Sequence, residues 1–272
     1  MSENGPQGAK GHPKNQLSVV LAQVNPTVGD LTANARLIRD SVNSAAHAGP
    51  VDLILFGEMV LNGYPIEDLA LREDFQAASL SAVKTLATDL AADGNGATHV
   101  IVGYLGVGKS GPTNSAAVLH SGQVMGTYAK HFLPNYGVFD EARYFASGKK
   151  DFIKEHKGKK IAVTICEDIW NIRQKDYDSD PVEEIALLQP DLLLNLSASP
   201  WHLRKDQQRI ELLENVSKKC ACPVVYVNAV GGNDELVFDG LSMSFNHQGS
   251  LLAQADSFRE QIEVHDFKDE PS

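Results

Sequence analysis

Residues 160–170, KIAVTICEDIW, constrain the chain more than any other stretch. Two lysines run into Ile161, Val163 and Ile165, a β-branched segment of the kind that fills a buried strand. The strand stops at Cys166, and Glu167 and Asp168 follow at once. A cysteine at the C-terminal end of a parallel strand lies where open α/β sheets place their ligands. Acidic neighbours by themselves raise a thiol's pKa, so a working site there needs a cation or a base close by. A lone cysteine is more often a small buried thiol than a nucleophile. The remainder of the chain decides between those readings.

Strand and helix signals alternate. Residues 17–24 (LSVVLAQV) and 52–56 (DLILF) read as strands, the second running into Gly57-Glu58. Between them Asp30 is placed to cap a helix carrying Ala33, Leu37, Ile38 and Val42. Residues 67–92 read as helical in two pieces, with Leu80, Val83, Leu86 and Leu90 on one face. A strand is predicted over 99–106, and a hairpin over 114–119 and 123–128 about Ser121-Gly122. Residues 129–144 have few helical signals and read as an ordered functional loop. Asp180-Pro181 opens a helix to Leu188, 191–195 is a strand, 205–220 a helix and 223–228 a strand. Residues 241–245 and 251–254 form a last hairpin about Gln248-Gly249, and the charged tail from Phe258 is expected to fray. No repeat or linker divides the chain, so we read one α/β domain with a mixed sheet over 17–258, after a disordered leader at 1–16. Gly103-Tyr104-Leu105-Gly106-Val107-Gly108 has the spacing of a dinucleotide fingerprint. It lacks the following helix and the acidic partner about 20 residues on, so it reads as a turn.

A net charge of −11 argues against nucleic acid as a partner, since phosphate binding needs a basic face. No apolar run approaches the roughly 18 residues of a membrane span. The N-terminal residues lack the apolar segment of a signal peptide. Cys166, Cys220 and Cys222 are an odd count without framework spacing, which points to a reducing cytoplasm. Cys220-Ala-Cys222 has no second ligand pair, so buried thiols at a strand start are expected there and no metal.

Glu58, Lys130 and Cys166 stand at strand or hairpin ends. A cysteine nucleophile needs a base for its proton, and its tetrahedral intermediate needs a positive or donor group at the oxyanion. A buried carboxylate and a nearby lysine supply both, and the three together make a self-consistent acyl-transfer site. Cys-His catalysis is the competing scheme, but His99, His120, His131, His202 and His247 are scattered and no local pattern selects one.

The segments FGEMVLNGYPIEDL, YAKHFLPNYGVFDEARYF and ICEDIW, in this order, resemble the nitrilase (carbon–nitrogen hydrolase) superfamily and its Glu-Lys-Cys triad. QVNPTVGDLTAN, NLSASPWHLRK and NAVGGNDELVFDGLSM narrow the resemblance to the amino-terminal glutaminase domains of bacterial glutamine-dependent NAD⁺ synthetases, over about residues 17–258. The resemblance implies a four-layer α-β-β-α sandwich and a homo-oligomer. It implies Glu58 as general base, Lys130 as oxyanion partner and Cys166 as the nucleophile that forms a γ-glutamyl thioester. Tyr64, Tyr136 and Phe139 would line the pocket, and Glu141 would be a second glutamate near the lysine. Glu167, Ser197, Ser199 and Lys205 would hold the amino-acid head of L-glutamine. For the two serines, capping of a helix near Pro200 is an equal reading, and Arg204 competes with Lys205 for the carboxylate. Residues 259–272 would begin a linker to a synthetase domain, absent from this sequence, that uses ATP and Mg²⁺; the glutaminase part needs no cofactor. A stand-alone amidase or carbamoylase acting on another small amide, and a catalytically silent scaffold, are the alternatives.

Overall fold

The computed structural model describes residues 16–149, 153–156, 158–172 and 180–268. The leader expected over 1–16 therefore lies outside the described residues, except for Gln16. The chain opens with strand β1 (Gln16–Gln23), helix α1 (Leu31–Ala48) and β2 (Leu53–Phe56). A 3₁₀ turn at Glu67–Leu71 leads to α2 (Glu73–Leu90), then β3 (His99–Gly108), β4 (Gly111–His120) and β5 (Gln123–Ala129). After the one-turn helix α3 (Glu141–Tyr144) come β6 (Ile153–His156), β7 (Lys159–Ile165) and a 3₁₀ segment, Cys166–Ile172. Helix α4 (Pro181–Leu188), β8 (Leu192–Ser197), α5 (Lys205–Cys220) and β9 (Val224–Asn228) follow. Five short strands close the chain: β10 (Val230–Asn233), β11 (Leu236–Asp239), β12 (Met243–Phe245), β13 (Leu251–Gln254) and β14 (Gln261–Lys268).

The strands form two six-stranded mixed sheets, ordered β14-β1-β2-β3-β4-β5 and β13-β12-β9-β8-β7-β6. Parallel pairs lie at the centre of each, β1-β2-β3 in one and β7-β8-β9 in the other. Period-two alternation explains the layering. Val19, Leu21, Leu53 and Leu55 point to the second sheet and pack with Val163, Ile165, Leu194 and Leu196. Val20, Ala22, Ile54 and Phe56 point the other way, onto Ile38 and Val42 of α1 and Val83, Leu86 and Leu90 of α2. On the outer side of the second sheet lie α4 and α5, whose Val182, Ile185, Leu213 and Val216 are fully buried. The result is the four-layer α-β-β-α sandwich. Asp30 and Asp180 cap α1 and α4 as expected, accepting from Ala33 N and Val182 N at 2.9 Å each.

Two expectations fail, and three strands went unread. The described part of the tail does not fray: β14 pairs antiparallel along all eight residues of β1. Its charged residues alternate with Ile262 and Phe267, which pack on opposite faces of the sheet, an edge strand's compromise between pairing and solubility. The Gly103–Gly108 segment is not a turn but the second half of β3. A Cβ at Gly103 would sit 2.2 Å from Met59 N, so the glycine allows β3 to run against the Glu58 turn. Strands β6, β10 and β11 carried no signal that we read.

Candidate active site

The site is built where β2, β5, β7 and β8 end. Glu58 follows Gly57 in a tight turn in which Met59 takes a positive φ of 52°. Its backbone N–H donates to Ser197 O at 3.3 Å, which binds the end of β2 to the end of β8. Glu58 Oε1 accepts from Lys130 Nζ at 2.8 Å and from Asn114 Nδ2 at 2.7 Å, and Oε2 accepts from Ala198 N at 2.9 Å. Lys130 Nζ also donates to Glu141 Oε1 at 2.8 Å, and that oxygen accepts from Tyr64 Oη at 2.7 Å. Both ion pairs are buried, with Lys130 and Glu58 each 1% exposed. Glu141 Oε2 has no hydrogen-bond partner.

Cys166 is the first residue past β7 and holds a positive φ of 41°, a strained conformation for a residue with a Cβ. It is buried in the field of the same groups. Burial and then Glu58 push its thiol well above the ordinary range, Lys130 pulls the other way, and Glu167 and Glu141 add to the rise. The resting thiol is therefore protonated. Burial opposes the charge on Lys130, but Glu141, Glu58 and Cys166 together hold it as an ammonium. Glu141 is raised from 4.5 to about 7, first by burial and then against the pull of Lys130. Two buried carboxylates thus share one cation, and Glu141 is the one whose proton is held more tightly.

Glu167 Oε1 and Oε2 both accept from Tyr136 Oη, at 2.9 and 3.0 Å. Tyr136 stands edge-on to Phe139, with centroids 5.7 Å apart. Phe139, Tyr64 and Glu141 line a cavity of about 210 Å³ whose wall also carries Glu67, Asp140 and Glu235. Lys205 Nζ lies 3.8 Å above the Trp170 ring. Burial and then Arg209 lower its pKa, while Cys166 and Glu167 raise it, so this cation faces the site. Arg204, the competing cation, is exposed and takes the left-handed region at φ 67°.

Of the two readings of the serines, helix capping fails. Ser197 is fully buried and donates to Asn195 Oδ1 at 2.8 Å, on the same face of β8. Ser199 N–H donates to Asn228 Oδ1 at 2.8 Å, and its carbonyl accepts from Arg209 Nη2 at 2.8 Å. Neither caps a helix, because α5 starts only at Lys205. Through Arg209, Ser199 is tied to the buried pair Arg209 Nη1–Asp239 Oδ1 at 2.6 Å.

Sequence reasoning missed Asn114, Arg209, Asp239 and the bonding of Asp168. A signal existed for Arg209: it occupies the stripe position that continues through Leu213, Val216 and Cys220 of α5, where a charge is out of place unless paired. Among the described residues no three His, Cys, Asp or Glu side chains are grouped as a metal site. Cys220 and Cys222 are free and buried away from this cluster, Cys222 in the wall of a cleft with Leu17 and Phe267.

A buried Glu–Lys–Cys cluster at the strand ends of an α-β-β-α sandwich defines a class of cysteine enzymes that act on carbon–nitrogen bonds. The chain belongs to the carbon-nitrogen hydrolase family, whose profile matches residues 18–269. It is 38% identical over 252 residues to a glutamine-dependent NAD⁺ synthetase of Acinetobacter baylyi, covering 92% of this chain and 44% of that protein. The solved structure of a glutamine-dependent NAD⁺ synthetase from Acinetobacter baumannii superposes with a TM-score of 0.83 at 36% identity, over 93% of this chain and 46% of that one. An amidase from Nesterenkonia sp. shares the fold, with a TM-score of 0.78 at 21% identity over 95% of this chain and 92% of that one. The chain spans less than half the length of the synthetases it matches.

Proposed function

We propose that this chain hydrolyses the side-chain amide of L-glutamine through a γ-glutamyl thioester on Cys166. The observation that carries the reading is the single ammonium of Lys130 held 2.8 Å from Glu58 beside a strained, buried Cys166. Glu58 takes the thiol proton as Sγ attacks the amide carbon, and Lys130 stabilises the resulting oxyanion. The protonated Glu58 returns the proton to the departing nitrogen, and ammonia leaves. A water then gives its proton to Glu58 and attacks the thioester, releasing glutamate and restoring the thiol. Glu167, oriented by Tyr136, takes the α-ammonium, and Lys205, held on Trp170, takes the α-carboxylate. The ammonia would serve a synthetase domain, as the name glutamine-dependent NAD⁺ synthetase of the matched proteins suggests; that domain would use ATP and Mg²⁺ to convert deamido-NAD⁺ to NAD⁺.

A reducing cytoplasm fits the free cysteines, and no described helix is long and apolar enough to cross a membrane. Self-association through the outer helices fits Leu187, 83% exposed on α4. The test of the activity is glutamate release from L-glutamine by the wild-type chain, with Cys166→Ala as control. Release by the wild type alone is expected. Hydrolysis of simple amides with none of glutamine would move the chain to the stand-alone amidases.

A further inference from the structure

Asp168 has no part in the steps above, yet its carboxylate is fully buried and accepts four hydrogen bonds. Oδ1 accepts from the backbone N–H groups of His131 at 3.1 Å and Phe132 at 3.0 Å. Oδ2 accepts from the Tyr128 hydroxyl at 2.7 Å and from Ile165 N–H at 2.9 Å. Tyr128 lies two residues before Lys130, and His131 and Phe132 directly follow it. Ile165 directly precedes Cys166. One carboxylate therefore grips the chain on both sides of the lysine and the residue before the cysteine.

The two segments belong to different sheets, β5 to one and β7 to the other, with no strand pairing between them. The positive φ of Cys166 needs a neighbour that over-determines it. The bond from Ile165 N–H back to Asp168, three residues on, closes that turn. All four donors to Asp168 are neutral, and Lys130 acts on it only through space, after burial and the hydrogen bonds from Phe132, Ile165 and Tyr128, so a fixed geometry is the main thing the carboxylate supplies.

We propose that Asp168 is a positioning residue that ties the Cys166 turn to the Lys130 segment and so sets the spacing between nucleophile and ammonium. The inference rests on Cys166 being the nucleophile, but not on glutamine being its substrate.

The test uses the 272-residue chain and needs no substrate. The rate of Cys166 alkylation by iodoacetamide is followed by mass spectrometry across the thiol's titration range, in wild type, Asp168→Asn and Tyr128→Phe. Melting temperature is recorded for each. An asparagine cannot accept from two donors on its amide nitrogen. The turn is then freed and Cys166 moves from Lys130. Alkylation at neutral pH should slow by about tenfold or more, since displacements near 1 Å have effects of that order. The pH profile should move to higher pH.

The opposite sign is diagnostic. If Asp168 acted only as a negative charge, its removal would favour the thiolate and speed alkylation. Tyr128→Phe removes one donor and leaves the charge, so a smaller slowing in the same direction is expected. Unchanged or faster alkylation in folded Asp168→Asn overturns the proposal. So does slowing with an unshifted pH profile, which assigns Asp168 to fold maintenance alone. If Asp168→Asn fails to fold, Tyr128→Phe decides by the same criteria. Inert Cys166 in the wild type would remove the nucleophile assignment and this proposal together. Normal Cys166 labelling without glutamine hydrolysis would remove only the substrate.

Discussion

Glu58 and Glu141 are joined through one ammonium group: Lys130 Nζ lies 2.8 Å from Oε1 of each. The pair carries one more negative charge than its cation neutralises, and the surplus falls on Glu141, which keeps one oxygen without a partner.

A pH signature follows from Glu141. Its folded-state pKa is raised from 4.5 to about 7, so the folded chain binds this proton more tightly than the unfolded chain. The stabilisation is complete below the unfolded value and is lost as pH rises through the folded one, by about 3 kcal/mol at most. In Glu141→Gln the amide oxygen still accepts from Lys130 and Tyr64, and the titration is gone. Urea midpoints of wild type and variant should therefore diverge between the two pKa values, the wild type losing ground as pH rises. Parallel curves would rule this out.

Lys130→Ala should be severe twice over. Loss of a charged oxyanion partner is worth about 3 to 4 kcal/mol of barrier in other acyl-transfer sites, or two to three orders of magnitude in kcat. Removing the cation also strands two buried carboxylates, a cost of about 3–5 kcal/mol. Thermal melts should show the second effect shrinking as pH falls and Glu141 protonates. Glutamate release should not recover there.

Lys205→Ala should raise KM for glutamine by about tenfold or more with kcat little changed, because a carboxylate contact is equal in ground and transition states. Arg204→Ala, at an exposed position, should leave both constants near wild type. Steady-state kinetics with equal effects at the two positions would refute the assignment.

Much of the chemistry was legible because strand ends can be read locally. Glu58 and Cys166 each close a short apolar run, and Lys130 closes a hairpin. The boundaries of α5 are readable for the same reason, since its pattern is continuous. What was not legible depends on residues distant in sequence. Ala198 N–H meets Glu58 from 140 positions away, and nothing near Ser197 reveals that its hydroxyl is spent on Asn195. Strand β14 was hidden because an edge strand carries charges where a central one carries valines.

Arg209→Leu should destabilise by about 3–5 kcal/mol, since Asp239 would keep a buried charge without its cation. The double variant Arg209→Leu/Asp239→Leu should regain part of that loss in denaturant titrations, because no lone charge remains.

Position 103 would look essential in any mutational tolerance map scored on turnover, although it has no side chain to offer. Alanine there would put a methyl carbon 2.2 Å from Met59 N, and the nearest relief is to push the Glu58 turn off the strand. A base held 2.8 Å from its lysine has little room for such a shift. The placement of Glu58, the proposed proton acceptor, is therefore set partly by an empty volume on a neighbouring strand, and substitution there would act as an inactivating lesion at a residue that performs no chemistry.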